Sequence, residues 1–148
     1  MKATAELRRE HASILRRVSI LNGLAASRMT REVAEQTCKS IRAIDGLLVE
    51  HLRVEDEMLY PTLIAAQDSE IRRTAESWFH DMSGILGAWI AYRDHWTLDN
   101  VLANTDRFRA ATTGILGALA IRIENENREL YPLLDSLSAE AGNAELID

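Results

Sequence analysis

The sequence has few of the residues that cross-link or break a chain. Its 148 residues include one cysteine, Cys38, so no disulfide can form within the chain. There are only two prolines, and the seven glycines are scattered. Val, Ile and Thr do not alternate with polar residues over any length, which argues against β-strands. Ala, Leu, Glu and Arg dominate instead, and this composition predicts a chain that is nearly all helix.

Long apolar runs and excess positive charge are also missing. The longest apolar stretch, residues 85–92, contains Gly87 and falls short of the ~20 residues of a transmembrane helix. Residues 1–9 lack the apolar segment of a signal peptide. The net charge of −6 argues against a nucleic-acid surface, which needs clustered Lys and Arg. We therefore expect a soluble cytoplasmic protein with neither a nucleic-acid nor a membrane partner.

The pattern of helix formers and breaks predicts four helices in one domain that spans residues 1–148. Thr4 and Thr30 are candidate N-caps, and residues 67–69 have the composition of a turn. Long helices with short connections predict an all-α, up-down-up-down four-helix bundle. The expected helices are about 3–26, 30–66, 69–95 and 98–137, followed by a frayed tail at 138–148.

A short pattern occurs twice, once in the second and once in the fourth predicted helix. His51 is followed four residues later by Glu55 and then by Leu-Tyr-Pro; Arg122 is followed by Glu126 and the same tripeptide. An imidazole and a carboxylate on one helical face suggest a metal site, whereas a guanidinium stays protonated and cannot bind a metal. The proline that ends each copy predicts a bend or stop at the same level in both helices.

Helical spacing places a polar group on the apolar, inward face of every predicted helix. A buried carboxylate is costly unless it is paired or bound to a metal, so convergence of these groups in one layer favours a metal site. The same spacing places Met58 and Leu133 inward, and it turns Asp56 and Glu57 towards solvent. The inward polar residues are His11 in the first helix, His51 and Glu55 in the second, His80 in the third, and Arg122, Glu126 and Glu129 in the fourth.

Three segments resemble the hemerythrin-like, or HHE cation-binding, domain family. They are residues 7–11, residues 50–61 and residues 126–132, and the resemblance covers essentially the whole chain. It implies a four-helix bundle that holds a non-heme diiron centre. Carried over by position, the metal ligands are His11, His51, Glu55, His80 and Glu126, with the two glutamates as the bridging carboxylates.

The chain departs from the family pattern at one of the two iron positions. Arg122 stands where the family has a histidine of the fourth helix, and Gly84 stands where a second histidine of the third helix would be. A guanidinium also repels a dication at short range in a poorly screened interior. The chain is therefore identified as a divergent member with an incomplete diiron ligand set.

Three arrangements of the site remain open at this point. One metal, iron or manganese with zinc as a further option, is held by His11, His51, Glu55 and Glu126, with His80 completing the set and Arg122 behind the ligands. Alternatively no metal binds, and Arg122 bridges Glu55, Glu126 and Glu129. In the third arrangement a two-metal site survives with Glu129 as an added ligand.

These arrangements lead to different functions. With iron, mononuclear or incompletely dinuclear, we expect a sensor or regulatory module for oxygen, redox or iron status whose ligand is a small gaseous molecule. Without metal, we expect a regulator that acts through protein–protein contacts or as a homodimer. An enzyme such as a peroxidase or oxidase is disfavoured, because the sequence identifies no substrate pocket, proton donor or activated nucleophile.

Overall fold

The structure is a computed structural model that describes the backbone of residues 3–147 and the side chains of residues 3–139. This part of the chain is α-helical and contains no strand, which confirms the predicted all-α bundle. None of its helices is both long and apolar enough to cross a membrane. The helices are α1 (Thr4–Ala26), α2 (Arg31–Val54), α3 (Tyr60–Ile64), α4 (Ser69–Met82), α5 (Ile85–His95), α6 (Leu98–Ala103), α7 (Thr105–Asn125) and α8 (Tyr131–Ile147), with π turns at Glu55–Leu59 and Glu126–Leu130.

The long helices pack side by side as a bundle. Helix α1 contacts α2 and α7, and α5 contacts the same two helices from the other side of the core. The π turns join α2 to α3 and α7 to α8 without a break, so each pair forms one long helix with a widened turn. Of the tail predicted at residues 138–148, residue 148 lies outside the described residues, and the described backbone is helical through Ile147.

Side-chain caps fix three of the helix starts. The Thr30 hydroxyl accepts a hydrogen bond from the N–H of Val33, as predicted, and Asp68 and Thr97 cap α4 and α6 in the same way. Thr4, the other predicted cap, is instead the first helical residue, and its hydroxyl donates to Asp135. This bond ties the start of α1 to α8.

The third helix is interrupted where the sequence predicted a single helix. Helix α4 ends at Met82 and α5 begins at Ile85, and Ser83 and Gly84 between them keep right-handed backbone angles. The interruption lies beside the polar layer of the bundle, because the carbonyl of Met82 accepts a hydrogen bond from Arg122. A carbonyl at a helix end has no partner within its own helix, so this bond satisfies it.

The apolar core consists of two clusters rather than one. In α1, and in the long helices formed by α2–α3 and α7–α8, buried histidine, glutamate or arginine residues separate the two clusters, as His11 does between Leu7 and Ile14. The larger cluster contains Trp89 and Phe108 among its buried members. The smaller cluster consists of Leu7, Leu59, Tyr60, Leu63, Ile71, Ala75, Leu130, Tyr131 and Leu134.

Candidate metal centre

Four buried side chains meet in the polar layer between the two apolar clusters. His11 comes from α1, His51 from α2, and Glu55 and Glu126 are the first residues of the two π turns. Each offers one ligand atom, and these four atoms lie within 4.8 Å of one another. All four side chains are at most 2% exposed. Imidazole nitrogens and carboxylate oxygens at this spacing form a candidate metal-binding group.

The two π turns have a common cause in the sequence. The backbone N–H of Tyr60 donates to the carbonyl of Glu55, and that of Tyr131 donates to Glu126, five residues back instead of four. A proline follows each tyrosine, and its ring would clash with a carbonyl of a regular α-helix. The wider turn relieves this clash, so the helices continue through the prolines instead of stopping. Such turns occur frequently at functional sites.

The π turns also shift which residues face the core. Met58 was predicted to lie inward, but its side chain is 47% exposed, whereas Leu59 is fully buried. In the second copy Leu133 is only half-buried and Leu134 is buried. Each π turn contains one more residue than an α turn. The inward face therefore shifts by one residue after the turn, and α-helical spacing predicts the wrong buried residue there.

Both imidazoles are oriented by acceptors on neighbouring helices. Nδ1 of His51 lies 2.8 Å from Oε1 of Glu10, and Nδ1 of His11 lies 2.8 Å from Oδ1 of Asn127. A carboxylate or amide oxygen accepts, so each Nδ1 carries the proton and donates it. In the neutral rings Nε2 then presents its lone pair to the cluster. Histidines that bind metals are held in the same way.

The two carboxylates are held crosswise by the tyrosines of the repeated segments. Tyr131 donates to Oε2 of Glu55 at 2.6 Å, and Tyr60 donates to Oε2 of Glu126 at 3.1 Å. Burial raises the pKa of both phenols, as do the negative charges of the two glutamates, so the hydroxyls remain donors. We call these Oε2 atoms the outer oxygens and the Oε1 atoms the inner oxygens.

Three atoms of the cluster are buried and have no hydrogen-bond partner among the described residues. They are Nε2 of His51 and the inner oxygens of Glu55 and Glu126. The His51 nitrogen lies 3.0 Å from the inner oxygen of Glu55, so two lone pairs face each other when the ring is neutral. An unsatisfied buried polar group costs about 1–3 kcal/mol. A cation that accepts these lone pairs removes the cost, so the residues fit a metal ion.

The pKa values of the metal-free cluster follow from this crowding. Burial lowers the pKa of His51, but its contacts with Glu55, Glu10 and Glu126 outweigh burial and raise it overall. Burial and the charge of Glu126 raise the pKa of Glu55. Burial opposes ionisation of Glu126 too, yet His11 and Arg122 bring its pKa down to about 2. Without a metal, Glu126 therefore stays ionised while Glu55 and His51 hold protons more tightly than usual.

Arg122 is fully buried beside the cluster and bonds to three groups. Its Nε donates to the outer oxygen of Glu126 at 3.0 Å, and its Nη2 donates to Asp56 at 2.7 Å. Its Nη1 donates to the carbonyl of Met82 at 3.1 Å, and Nη2 also lies 3.6 Å from the inner oxygen of Glu55. The expectation that Asp56 points into solvent was wrong, since its side chain is 15% exposed and pairs with Arg122.

Two residues predicted for the site lie away from it. His80 is exposed on α4, because the buried residues of that helix, Ile71 and Ala75, lie on a different face. Glu129 is also exposed, and its nearest charged partner is Arg128, at 3.4 Å. The structure therefore brings together His11, His51, Glu55, Glu126 and Arg122 of the predicted residues, but neither His80 nor Glu129.

Several residues of the site were not predicted. Glu10, Asn127, Tyr60 and Tyr131 each bond to a ligand that comes from another helix, and spacing along one helix carries no signal for such contacts. The repeated Leu-Tyr-Pro tripeptide was the available signal for the tyrosines. A cleft of about 410 Å³ between α1 and α2 is lined by both Glu10 and His51, so the cluster lies close to the surface there.

Comparison with known proteins agrees with this geometry. The family model of the hemerythrin HHE cation-binding domain matches residues 2–134, which include all four candidate ligands and both π turns. No curated protein and no solved structure matches the chain. The resemblance found in the sequence is confirmed: this chain belongs to the hemerythrin HHE cation-binding domain family.

Proposed function

We propose that the protein binds iron through His11, His51, Glu55 and Glu126 and acts as a sensor or regulatory module for oxygen, redox or iron status. The observation that carries the proposal is the set of three buried, unpartnered atoms that face one another in the polar layer. Two imidazole nitrogens and two carboxylate oxygens suit iron or manganese, and zinc is a competitor. Membership of a cation-binding family supports the same conclusion.

The chain's own residues prepare the site for an ion. Glu10 and Asn127 fix the proton on the far nitrogen of each imidazole, and the two tyrosines fix the outer oxygens, so the four ligand atoms are held before a metal arrives. Bound iron supplies redox chemistry and open positions for a small ligand. The four side chains are buried and apolar clusters lie on both sides of them, which favours small uncharged molecules such as dioxygen or nitric oxide.

The position of the cluster favours sensing. Its ligands come from α1, α2 and the two π turns, so an ion ties separate segments of the bundle together. A change at the ion would then change how these segments are held. We expect hydrogen exchange of the ferrous protein to change in α3 and α8, outside the ligands, when dioxygen or nitric oxide is added. A protein that only stores iron would show no such change.

The metal-free alternative has its own supporting observation. Arg122 lies within 3.6 Å of both cluster carboxylates and contributes a fixed positive charge. The one hydrogen bond that Arg122 donates to a cluster carboxylate, however, goes to the outer oxygen of Glu126. Both inner oxygens and Nε2 of His51 have no hydrogen-bond partner among the described residues. The guanidinium therefore replaces only part of what a metal would provide, and we prefer the metal-binding function.

Metal analysis tests the proposal. We expect protein made in iron-replete medium and purified without chelators to retain a near-stoichiometric transition metal, with iron dominant. His51→Ala and Glu126→Gln remove a ligand atom each and should abolish retention. His80→Ala and Glu129→Gln are matched controls, because both residues are exposed, and should leave retention unchanged. Wild-type protein that stays free of metal after anaerobic loading would support the metal-free regulator instead.

A further inference from the structure

We infer that Tyr60, Tyr131 and Arg122 restrict this centre to one metal ion per chain. The inference rests on the proposed metal binding and adds the number of ions that the site accepts. These three residues donate hydrogen bonds to the outer oxygens of the two glutamates and fill the space next to those oxygens. They thereby determine the specificity of the site for a single ion.

The two oxygens of the Glu126 carboxylate are used unequally. A carboxylate that bridges two metal ions through both oxygens gives one oxygen to each. In Glu126 the inner oxygen is unpartnered, whereas the outer oxygen accepts from both Tyr60 and Arg122. An oxygen has two lone-pair sites, so none remains on the outer oxygen. Glu126 therefore cannot give one oxygen to each of two ions, and only its inner oxygen is available.

Glu55 shows a similar arrangement on the other helix, with one hydrogen bond to its outer oxygen instead of two. Its inner oxygen is unpartnered, and its outer oxygen accepts a short hydrogen bond from Tyr131. The hydroxyl of Tyr131 also lies 2.9 Å from Nε2 of His11, so the phenol stands beside the ligand atoms. Both unpartnered oxygens are thus inner oxygens, and each lies beside an imidazole nitrogen: that of Glu55 is 3.0 Å from His51 and that of Glu126 is 3.2 Å from His11. Among the described residues, the four side chains form one candidate group for one ion, with no second group beside it.

Arg122 adds a fixed positive charge beside Glu126. The guanidinium remains protonated, and it lies 3.0 Å from the outer oxygen of Glu126 and 3.6 Å from the inner oxygen of Glu55. A second dication beside the outer oxygen of Glu126 would lie against this charge in an interior that screens poorly. Arg122 cannot swing away easily, because Asp56 and the Met82 carbonyl hold its other nitrogens and the Tyr60 ring packs against it at 5.5 Å.

Other groups that could bind a second metal ion lie next to these three residues. Asp56 accepts from Nη2 of Arg122 at 2.7 Å, the nitrogen that also lies 3.6 Å from Glu55. Replacing Arg122 with histidine would add an imidazole next to Asp56, and replacing the tyrosines with phenylalanine would release the outer oxygens. Together with Asp56 these groups supply four donors of the types that iron and manganese accept. The restriction should therefore be reversible by substitution.

The test is an anaerobic titration with ferrous iron, followed by native mass spectrometry to count the ions on each folded chain. We expect one ion on the wild type and two on Arg122→His/Tyr60→Phe/Tyr131→Phe. The matched control is Arg93→His/Tyr92→Phe, which changes a surface arginine and a buried tyrosine bonded to Thr112, and should keep one ion. Manganese(II) loading gives a second readout, because a coupled pair and an isolated ion have different electron paramagnetic resonance spectra.

Each outcome is informative. Two ions on the wild type would overturn the inference and leave the proposed metal binding intact, whereas no ion on the wild type would overturn the proposed function itself. One ion on the well-folded triple variant would show that these residues do not set the number. If the triple variant does not fold, Arg122→His/Tyr60→Phe is used. It removes the repelling charge and frees the outer oxygen of Glu126, so binding no second ion there would also count against the inference.

Discussion

Tyr131 donates its hydroxyl to the outer oxygen of Glu55 at 2.6 Å, across the bundle from one repeated segment to the other. Tyr60 makes the reciprocal contact with Glu126. The Leu-Tyr-Pro repeat therefore has two structural effects. The proline widens the turn that begins at the glutamate, and the tyrosine fixes the carboxylate of the opposite segment.

Removing the Tyr131 hydroxyl should destabilise the metal-free protein. In Tyr131→Phe the outer oxygen of Glu55 loses its donor while it remains buried. Loss of a hydrogen bond to a charged group lowers the free energy of unfolding by about 1.5–3 kcal/mol. Urea denaturation in the presence of a chelator measures this. The control Tyr92→Phe breaks a bond between two neutral hydroxyls and should lose about 0.5–1.5 kcal/mol; equal losses would contradict the special role of Tyr131.

Arg122→Met should be more damaging than any surface charge change. Methionine keeps much of the volume, but it leaves Glu126 and Asp56 without a buried cationic partner. Breaking a buried pair on one side costs about 3–5 kcal/mol. Arg93→Met is the control, since Arg93 pairs with Asp45 near the surface, where solvent screens an ion pair and it contributes little to stability. Similar unfolding midpoints for the two variants would show that the buried network does not stabilise the fold.

Metal affinity should fall as the pH is lowered. A metal needs the ligand nitrogen of His51 and the inner oxygen of Glu55 free of protons, and the pKa values of both residues are raised in the metal-free protein. Protons therefore begin to compete above pH 6.5, the ordinary value for histidine. Calorimetric titration in two buffers with different ionisation enthalpies counts the protons released. Binding at neutral pH that releases no proton would contradict this expectation.

The stability of the metal-free protein should decline at both ends of the pH range. The raised pKa of His51 contributes stability that is fully present below pH 6.5 and is lost as the pH rises through the folded-state value. The lowered pKa of Glu126 contributes stability that is present above 4.5 and is lost as the pH falls towards about 2. Urea midpoints across this range measure both limbs. Glu126→Gln should flatten the acid limb most and weaken the alkaline limb less, because Glu126 is one of several groups that raise the pKa of His51.

The sequence was sufficient to predict the all-α bundle and to select the four side chains that the structure brings together in the candidate metal centre. Helix-forming composition with few breakers predicts the bundle, and a histidine followed four residues later by a glutamate identifies one helical face. His80 was predicted to lie inward but is exposed. The apolar face of α4 is the one that carries Ile71 and Ala75, which His80 does not share, and the interruption after Met82 separates the faces of α4 and α5.

The supporting residues could not be found from periodicity. Glu10 adjoins His11 in sequence but orients His51, and Asn127 adjoins Glu126 but orients His11. Each contact depends on how two helices pack, which a single helical pattern does not contain. The orientation of Asp56 was predicted wrongly for a related reason. Its partner Arg122 belongs to another helix, α7, and the long arginine side chain extends to the Asp56 carboxylate.

The separation of the core into two clusters has a consequence for how this protein unfolds. The smaller cluster joins α3, α4 and the start of α8, and buried charges rather than apolar contacts lie between it and the larger one. Regions of a protein unfold together when they share stabilising contacts. The two clusters are therefore coupled in unfolding through the contacts of the polar layer. An ion in the layer would couple them into one unit. Its loss would let the smaller end open while the larger end stays folded.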